Sequence, residues 1–591
     1  MSKKRVLMQK RISLGELISQ EKQNGIMKLG IRLGDRLLGL HKMRALYQNN
    51  GLEGLSKEEF SDKLLEALNI TLDVDQKALD MIPKEGPLLL ASNHPFGGIE
   101  GVILARVISQ VRPDLKVLAN TALRVFSELT DYFIFTNPLA PKNAKNAPSL
   151  KQTIGHLKRG GALLIFPAGK VSFYDVASQR VVEHEWNRLV GRMLQIPQIQ
   201  YTPIFASGKN SDWFYRVERL NFKLRMFFLG WELLNKKNQN LRIDIGHTVS
   251  ANRIETQVTD KELAALARAQ SYALEPEWRS DWPVTNAMEF SPLAAPIDVA
   301  LLQKEIADLP AKQHLVEYRN FSVYYGYREQ IPNVVLEIAR LRERVFREHN
   351  EGSGNSRDTD HFDDTYTHLF VVNNDTHELV GAYRMGQTDR LLANYAKDKD
   401  DLSPIYLAQM FNFQPGFINR KEPCLEMGRS FLTPEYQRSF HGLYLLWRGI
   451  GAFCGKFPQY RYLYGTVSLS KLFDKRSIAI IKAALVEETD NVSPKHDFDF
   501  ALHPEIQAFH QDYHLRSHMS SFLQAIETDG KDIPILLKHY MKLNANFHAL
   551  GVDKNFADTP GLLLSVHLPS APQKLVSKYL ADEMPAYLAY S

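Results

Sequence analysis

Ser92-Asn93-His94-Pro95-Phe96-Gly97-Gly98-Ile99-Glu100-Gly101 sets a histidine and a carboxylate on either side of a glycine pair. An imidazole can take a proton near neutral pH, and a neighbouring carboxylate fixes its tautomer and orientation, so His94 and Glu100 suit general-base chemistry. The second concentration of titratable groups is Glu351–Asp364, with Glu351, Asp358, Asp360, Asp363 and Asp364. Its spacing lacks the glycine and terminal glutamate of an EF-hand, so no calcium site is expected. The chain has no GxxxxGK[ST], GxSxG, CxxC or HExxH pattern, and no metal site is expected.

The elements around His94 read clearly. Gly86–Ala91 is a short apolar run bounded by turn residues, which predicts a buried strand. Val102–Val107 predicts a helix, so His94 belongs on a strand-to-helix turn, where α/β proteins place their chemistry. Ser56–Glu59 has the pattern of a capping box opening a helix through Leu68. Residues 71–275 alternate strand-like and helix-like segments, including strands at Leu115–Leu118, Tyr132–Phe135 and Leu241–Val249. Helices are predicted at Ser149–Lys158, Glu183–Leu194 and Asp260–Tyr272. Pro276, Pro283, Pro292 and Pro296 mark a semi-rigid linker. Beyond it, Val334–Phe346 predicts an amphipathic helix, and His368–Val372 with Leu379–Met385 predicts a hairpin. Leu425–Pro434 predicts a strand, Gly442–Ile450 a helix and Tyr462–Val467 another strand.

A length of 591 residues exceeds a single core. The expected division is 1–50 as basic amphipathic helices, 51–275 as the first domain, 276–297 as the linker and 298–591 as the second domain. Two cysteines, Cys424 and Cys454, provide no disulfide framework and suit a reducing cytoplasm. The N-terminus lacks the continuous apolar core of a signal peptide, and no apolar run is long enough to span a bilayer. The net charge is +5, but residues 1–50 hold eleven Lys or Arg against three acids. The apolar residues interleaved there suit an anionic membrane surface. Nucleic acid is the rival partner for such an arm, but no base-reading module follows it, so none is expected. Arg216–Lys237 mixes bulky apolar and basic residues and reads as a core helix with a charged outer side, or as a further membrane face.

Four blocks in order make a family visible. His94-Pro95-Phe96-Gly97-Gly98-Ile99-Glu100-Gly101 resembles the glycerolipid-type acyltransferases, and most closely their hemolysin-labelled bacterial branch, with Glu100 in place of Asp. Leu163–Ser172 resembles the strand followed by Phe-Pro-Glu-Gly, with Ala168 in place of the acid. Pro203–Ser211 is similar to the branch's Pro-Val-x-Phe-x-Gly-x-Asn-Ser. Asn120–Phe126 falls where the family places acceptor-binding residues. The resemblance implies an α/β acyltransferase domain with His94 as base, Glu100 as its partner, and Arg124, Phe166, Pro167, Gly169 and Lys170 as substrate-binding residues.

The second half resembles the acetyltransferase-like (GNAT) α/β fold, and more narrowly the acyl-homoserine-lactone synthases and related ornithine N-acyltransferases. The matching residues are Val345-Phe346, Arg357–Asp363, Gly381–Arg384 and Glu426-x-x-Arg429, with Ile533–Tyr540 and Asp553–Asp558 further on. The resemblance implies Glu426 as base or amine anchor, a structural ion pair with Arg429 being the alternative. It implies Arg384 for an acceptor carboxylate, Arg429 as a further binding residue, and Asp358, Asp360 and Asp363 for a cationic acceptor, with a solvated acidic loop as the alternative. The strand-to-helix loop Gln437–Gly442 has one glycine, which suits phosphopantetheine on acyl carrier protein rather than coenzyme A.

The chain as a whole resembles the bifunctional ornithine lipid synthases. That implies no cofactor, acyl-acyl carrier protein as co-substrate, and ornithine and lyso-ornithine lipid as acceptors. It also implies a cytoplasmic protein peripheral on the inner face of the cytoplasmic membrane. The alternatives are another acceptor such as glycine, and a lysophosphatidic-acid-type O-acyltransferase with a regulatory second half. A pore-forming hemolysin would need membrane spans or a secretion signal.

Overall fold

The computed structural model describes residues 25–37, 39–136, 146–220, 228–250, 258–282, 290–393, 401–418, 423–437 and 440–590. The first 24 residues of the basic arm lie outside them, as do Pro283, residues 221–227 and residues 438–439 of the loop before the second domain's main helix. The chain forms two compact units, Met1–Arg279 with Leu502–Asp532, and Ser280–Ala501 with Ile533–Ser591.

The strands of the first unit are β1 (Thr71–Val74), β2 (Leu88–Ser92), β3 (Lys116–Asn120), β4 (Phe133–Thr136), β5 (Ala162–Ile165), β6 (Phe173–Asp175), β7 (Arg180–Val182), β8 (Gln200–Ala206), β9 (Asn240–Ile245) and β10 (Val249–Ser250). They order as β1-β9-β8-β2-β5-β3-β4, with β10 on β8 and β6–β7 a separate hairpin. β2 runs parallel to both β5 and β8, and β3 parallel to both β4 and β5. All five residues of β2 are buried, as expected of a central strand covered on both faces. The parallel strands bring the segments after β2, β3, β5 and β8 to one edge, where α/β sheets hold ligands. Those segments carry His94, Arg124, Phe166–Lys170 and Ser207–Ser211.

The predicted capping box at Ser56 is present in both directions, and the Asp260–Tyr272 helix has the predicted bounds. Two expectations change. The helix predicted from Glu183 begins only at Leu189, because the β6–β7 hairpin ends at Val182 and the next residues run extended past Pro167. The first unit also takes in residues 502–532, which the sequence division assigned to the second domain. Their helices Pro504–Asp512 and Leu515–Ile526 pack on Asp260–Tyr272. His518–Glu262 at 2.9 Å, His503–Glu275 at 2.7 Å and Arg268–Glu505 at 2.7 Å hold them there.

The second unit has β11 (His314–Tyr318), β12 (Phe321–Tyr327), β13 (Thr367–Asn373), β14 (Leu379–Gln387), β15 (Phe411–Phe413), β16 (Cys424–Leu432), β17 (Tyr462–Ser468), β18 (Val492–Pro494), β19 (Asn546–Asp553) and β20 (Thr559–His567). The main sheet orders β11-β12-β13-β14-β16-β17-β20-β19. Its one parallel pair is β16 with β17, joined by the Phe440–Lys456 helix, and it pairs only Cys424–Met427 with Tyr462–Gly465. Beyond that register the two strands part. On the other side of β16 the register with β14 shifts between Ala382↔Phe431 and Arg384↔Gly428, so Arg429 and Ser430 together face Tyr383. This is a β-bulge, and Arg429 takes a left-handed φ of 50° in it.

Candidate functional site

His94 leaves β2 on a turn that is clamped at both ends of its own peptide unit. Its N–H donates to Glu183 Oε1 at 2.5 Å, and its carbonyl accepts from Ser172 N–H at 3.0 Å. Asn93 bridges to the end of β8, donating to the Ala206 carbonyl and accepting from the Ala206 N–H at 2.9 and 2.7 Å. The His94 ring packs on Phe166, with centroids 4.6 Å apart.

Glu100, in the first turn of the Ile99–Ser109 helix, folds back under this turn. Its carboxylate accepts the N–H groups of Phe96, Gly97 and Gly98 at 2.9, 2.8 and 2.9 Å. Gly97 has φ 89°, and a Cβ there would stand 2.6 Å from Leu229 and from Val171. Nδ1 of His94 lies 2.9 Å from Glu100 Oε1, a short contact that is bent from the ideal N–H direction. Burial alone would raise the Glu100 carboxyl. His94 and the backbone donors outweigh burial and bring it to about 2. An ionised carboxylate only accepts, so the proton sits on Nδ1 and Nε2 is left to receive another. The ring is 18% exposed while Nδ1 is buried, which leaves the accessible edge on the Nε2 side.

Arg124 is exposed and lies over the Phe135 ring at 5.0 Å. Pro167 is buried, and Lys170 is half-buried just after Gly169, whose φ is 64°. The structure thus brings His94, Glu100 and Phe166 into contact and places Arg124 and Lys170 on neighbouring strand ends.

Sequence reasoning missed two buried charges here. Glu183 accepts the His94 N–H and the Trp186 indole N–H, the latter at 2.9 Å. Burial pushes its carboxyl up to about 7 against those bonds and the nearby His94. Lys236 donates to the Lys209 carbonyl at 2.8 Å and lies 4.7 Å over the Phe96 ring. Both arrive through tertiary folding, and no local spacing announces them.

In the second unit a cavity opens where β16 and β17 part. Its lining includes Glu426, Arg429, Ser430, Thr466, Ser468 and Tyr540. Glu426 is buried and accepts Leu407 N–H at 2.9 Å, Tyr366 hydroxyl at 2.5 Å and Tyr406 N–H at 3.3 Å. Burial raises its carboxyl, with those donors opposing. Tyr406 links the two halves of the predicted pattern. It accepts from Arg429 at 2.9 Å and donates to Asp553 at 2.7 Å. Glu426 and Arg429 therefore meet through a tyrosine, and the direct ion pair considered above does not form.

The acidic loop is neither solvated nor open to a cation at Asp358 and Asp363. Arg342, fully buried on the Pro332–Glu348 helix, pairs with Asp358 at 2.7 Å and with Asp363 at 3.0 Å. Arg384 pairs with Asp360 at 2.5 Å and Asp363 at 3.0 Å. Burial would lower the Arg384 guanidinium, but the two aspartates hold it raised. Arg384 lines the cavity, yet its charge is already met, which weighs against its use as a carboxylate anchor. Arg429 is the better-placed cation. It approaches Asp358 and Asp360 only at 3.4 and 3.6 Å, and its buried Nε has no acceptor. Among the described residues no group of three or more His, Cys, Asp or Glu is placed to hold a metal ion.

Residues 39–279 match the family described as Acyltransferase, and residues 341–448 match the Acetyltransferase (GNAT) domain. A glycine N(alpha)-acyltransferase of Bacteroides thetaiotaomicron is 28% identical over 46% of this chain and 85% of its own length. A lyso-glycine lipid O-acyltransferase of the same organism is 25% identical over 37% of this chain and 82% of its own. The 1-acyl-sn-glycerophosphate acyltransferase structure from Thermotoga maritima is 14% identical, covers 38% of this chain and 80% of its own, and superposes with a TM-score of 0.25. The two family matches fall on the two units in turn. The chain joins an acyltransferase-like N-terminal domain to a GNAT-like C-terminal domain and is a two-part acyltransferase.

Proposed function

We propose that this protein builds an amino-acid-containing lipid by two successive acyl transfers. In the GNAT-like domain the α-amine of ornithine attacks the thioester of a 3-hydroxyacyl-acyl carrier protein. The acyl–nitrogen bond forms, the acyl–sulfur bond breaks, and the carrier leaves as its thiol. Glu426, held by Tyr366 and Tyr406, is the base or anchor for that amine, whose proton passes to the departing thiolate, and Arg429 receives the acceptor carboxylate. The open edges of β16 and β17 offer unpaired backbone groups to the pantetheine amides. In the N-terminal domain His94 Nε2 takes the proton of the new 3-hydroxyl as it attacks a second acyl thioester; the acyl–oxygen bond forms, the acyl–sulfur bond breaks, and His94 returns the proton to the departing thiolate. Glu100 stabilises the intervening imidazolium.

The observation that carries this reading is the union, in one chain, of halves similar to two separate enzymes named for N-acylation of an amino acid and O-acylation of the lyso-lipid. Glycine as the acceptor is the second reading, favoured by the names of those relatives. Acyl carrier protein as donor is tested by comparing it with acyl-coenzyme A. Equal efficiency with the two would remove that part of the reading.

We place the protein on the inner face of the cytoplasmic membrane. Among the described residues no helix is long and apolar enough to cross a membrane. The Gly25–Leu37 helix exposes Leu29 by 68% and Leu33 by 62%, one turn apart, beside exposed Arg32 and Arg36. Sedimentation with anionic vesicles tests this placement. Retention unaffected by Leu29→Asp with Leu33→Asp would sink it.

The function is tested by expression in a host that lacks amino-acid lipids. The expected product is a ninhydrin-positive, phosphorus-free lipid with two acyl chains. His94→Ala should leave the one-chain form and Glu426→Ala neither form. A rise in phosphatidic acid with no such lipid would instead assign the N-terminal domain to glycerolipid synthesis.

A further inference from the structure

Glu351 is a buried carboxylate that neither transfer step employs. It follows the Pro332–Glu348 helix, where its N–H closes on the Phe346 carbonyl at 2.9 Å, and it is 5% exposed. Its Oε2 accepts the Ser468 hydroxyl at 3.0 Å. Ser468 lies on β17 beyond the point where β17 leaves β16, and it lines the cavity that also holds Glu426 and Arg429. Side chains alternate along a strand, so Tyr464, Thr466 and Ser468 share one face. Tyr464 is the register partner of Glu426. Glu351 therefore reaches, through Ser468, the sheet face that carries Glu426, four residues further along.

Four buried carboxylates of the adjoining helix and loop have a cation, whereas Glu426 and Asp553 in the cavity are met by hydroxyl and N–H donors. Asp358 and Asp363 have Arg342, Glu343 has Arg347 at 2.7 Å, and Glu337 has Arg340 at 2.6 Å. Among the described residues Glu351 has none within ion-pair distance. Arg429 acts on it only at longer range and is shared with Asp358 and Asp360. Burial pushes the Glu351 carboxyl up to about 7, with Ser468 and Arg429 opposing. A buried carboxylate without a counterion is costly. Beside a cavity it is complementary to a cationic ligand group.

We propose that Glu351, with Ser468, is the subsite for the side-chain ammonium of a diamino-acid acceptor whose α-amine lies toward Glu426. This rests on the reading of the GNAT-like domain as an amino-acid N-acyltransferase. The geometry suits a diamino acid. Four strand residues span about 13 Å. Two nitrogens separated by a three-methylene side chain stand about 6 Å apart, and a hydrogen bond at each end adds about 3 Å. Glycine would leave Glu351 to keep its proton, so the subsite discriminates by the attraction that only a second ammonium gains.

The test uses the purified full-length protein with 3-hydroxyacyl-acyl carrier protein and either ornithine or glycine. The wild type is expected to favour ornithine in kcat/KM. Glu351→Gln should lower the ornithine-to-glycine ratio about tenfold or more, mainly through the KM for ornithine. Ser468→Ala should move it the same way by less. A wild-type preference for glycine overturns the subsite, and so does a Glu351→Gln variant that retains the wild-type ratio. Acylation of neither amino acid overturns the reading of the whole domain, and the subsite with it.

Discussion

Glu100 meets the His94 ring and Glu183 its backbone N–H, and the two carboxyls are shifted in opposite senses. Glu100 is held down at about 2 and Glu183 up at about 7, each from an ordinary 4.5. For Glu100 the stabilisation is present above pH 4.5 and is lost as pH falls through 2. For Glu183 the folded state keeps a proton that the unfolded chain has released. Its contribution is full below pH 4.5 and is lost as pH rises through 7, a difference on the order of 3 kcal/mol. Between pH 5 and 8 Glu183 governs. Urea midpoints of the N-terminal unit should therefore fall across that range in the wild type and flatten in Glu183→Gln. An unaltered slope in the variant would exclude Glu183 as the cause. His94 and Glu100 were legible because a glycine-paired turn between strand and helix fixes their meeting locally. Glu183 was not, since it enters from a hairpin 89 positions away. The acidic loop misled for the same reason: Asp358 and Asp363 are partnered by Arg342, which is on a helix whose polar positions read as solvated.

At the scale of elements, the turn after β2 depends on one glycine more than on any helix or strand. Gly97 supplies the left-handed φ that points three successive N–H groups at Glu100, and Leu229 and Val171 occupy the space a Cβ would take. Gly97→Ala should cost about 1–3 kcal/mol in the N-terminal unit and displace the donors that hold Glu100. Lipid extracts from cells carrying it should accumulate the one-chain product while N-acylation continues. An unchanged product ratio would show that the turn tolerates the methyl group. Elements with strong periodicity were read to within a few residues, as at Asp260–Tyr272, the β13–β14 hairpin and β16. The failure at Glu183–Leu194 has a physical cause: between the β6–β7 hairpin and Leu189 the chain is committed to tertiary bonds, Glu183 to the His94 N–H and the Asn187 N–H to the Pro167 carbonyl. The bulge at Arg429 left no trace in sequence, because the residue that takes the left-handed φ is not a glycine.

At the scale of the molecule, the sequence division and the folded units part company at 502–532. The two units divide at Arg279, within the proline-rich stretch, but the return of a later segment to an earlier unit has no local signature. The returning helices pack on Asp260–Tyr272. They also satisfy the Gln270 amide through Ser521 at 2.6 Å and the His247 N–H through the Ala525 carbonyl at 3.1 Å. A Cβ at Gly246 would stand 2.7 Å from that same carbonyl, so the two backbones are in direct contact there. A cut at the linker should therefore leave the N-terminal unit without two of its helices. Residues 1–279 alone should unfold well below the full chain's N-terminal transition, since each kcal/mol lost shifts Tm by about 2–4 °C in a unit of this size. Appending 502–532 to that fragment through a flexible tether should restore the transition and the O-acyl transfer together. A fragment ending at Arg279 that melts like the intact protein would mean that the returning helices only cover a surface already stable without them.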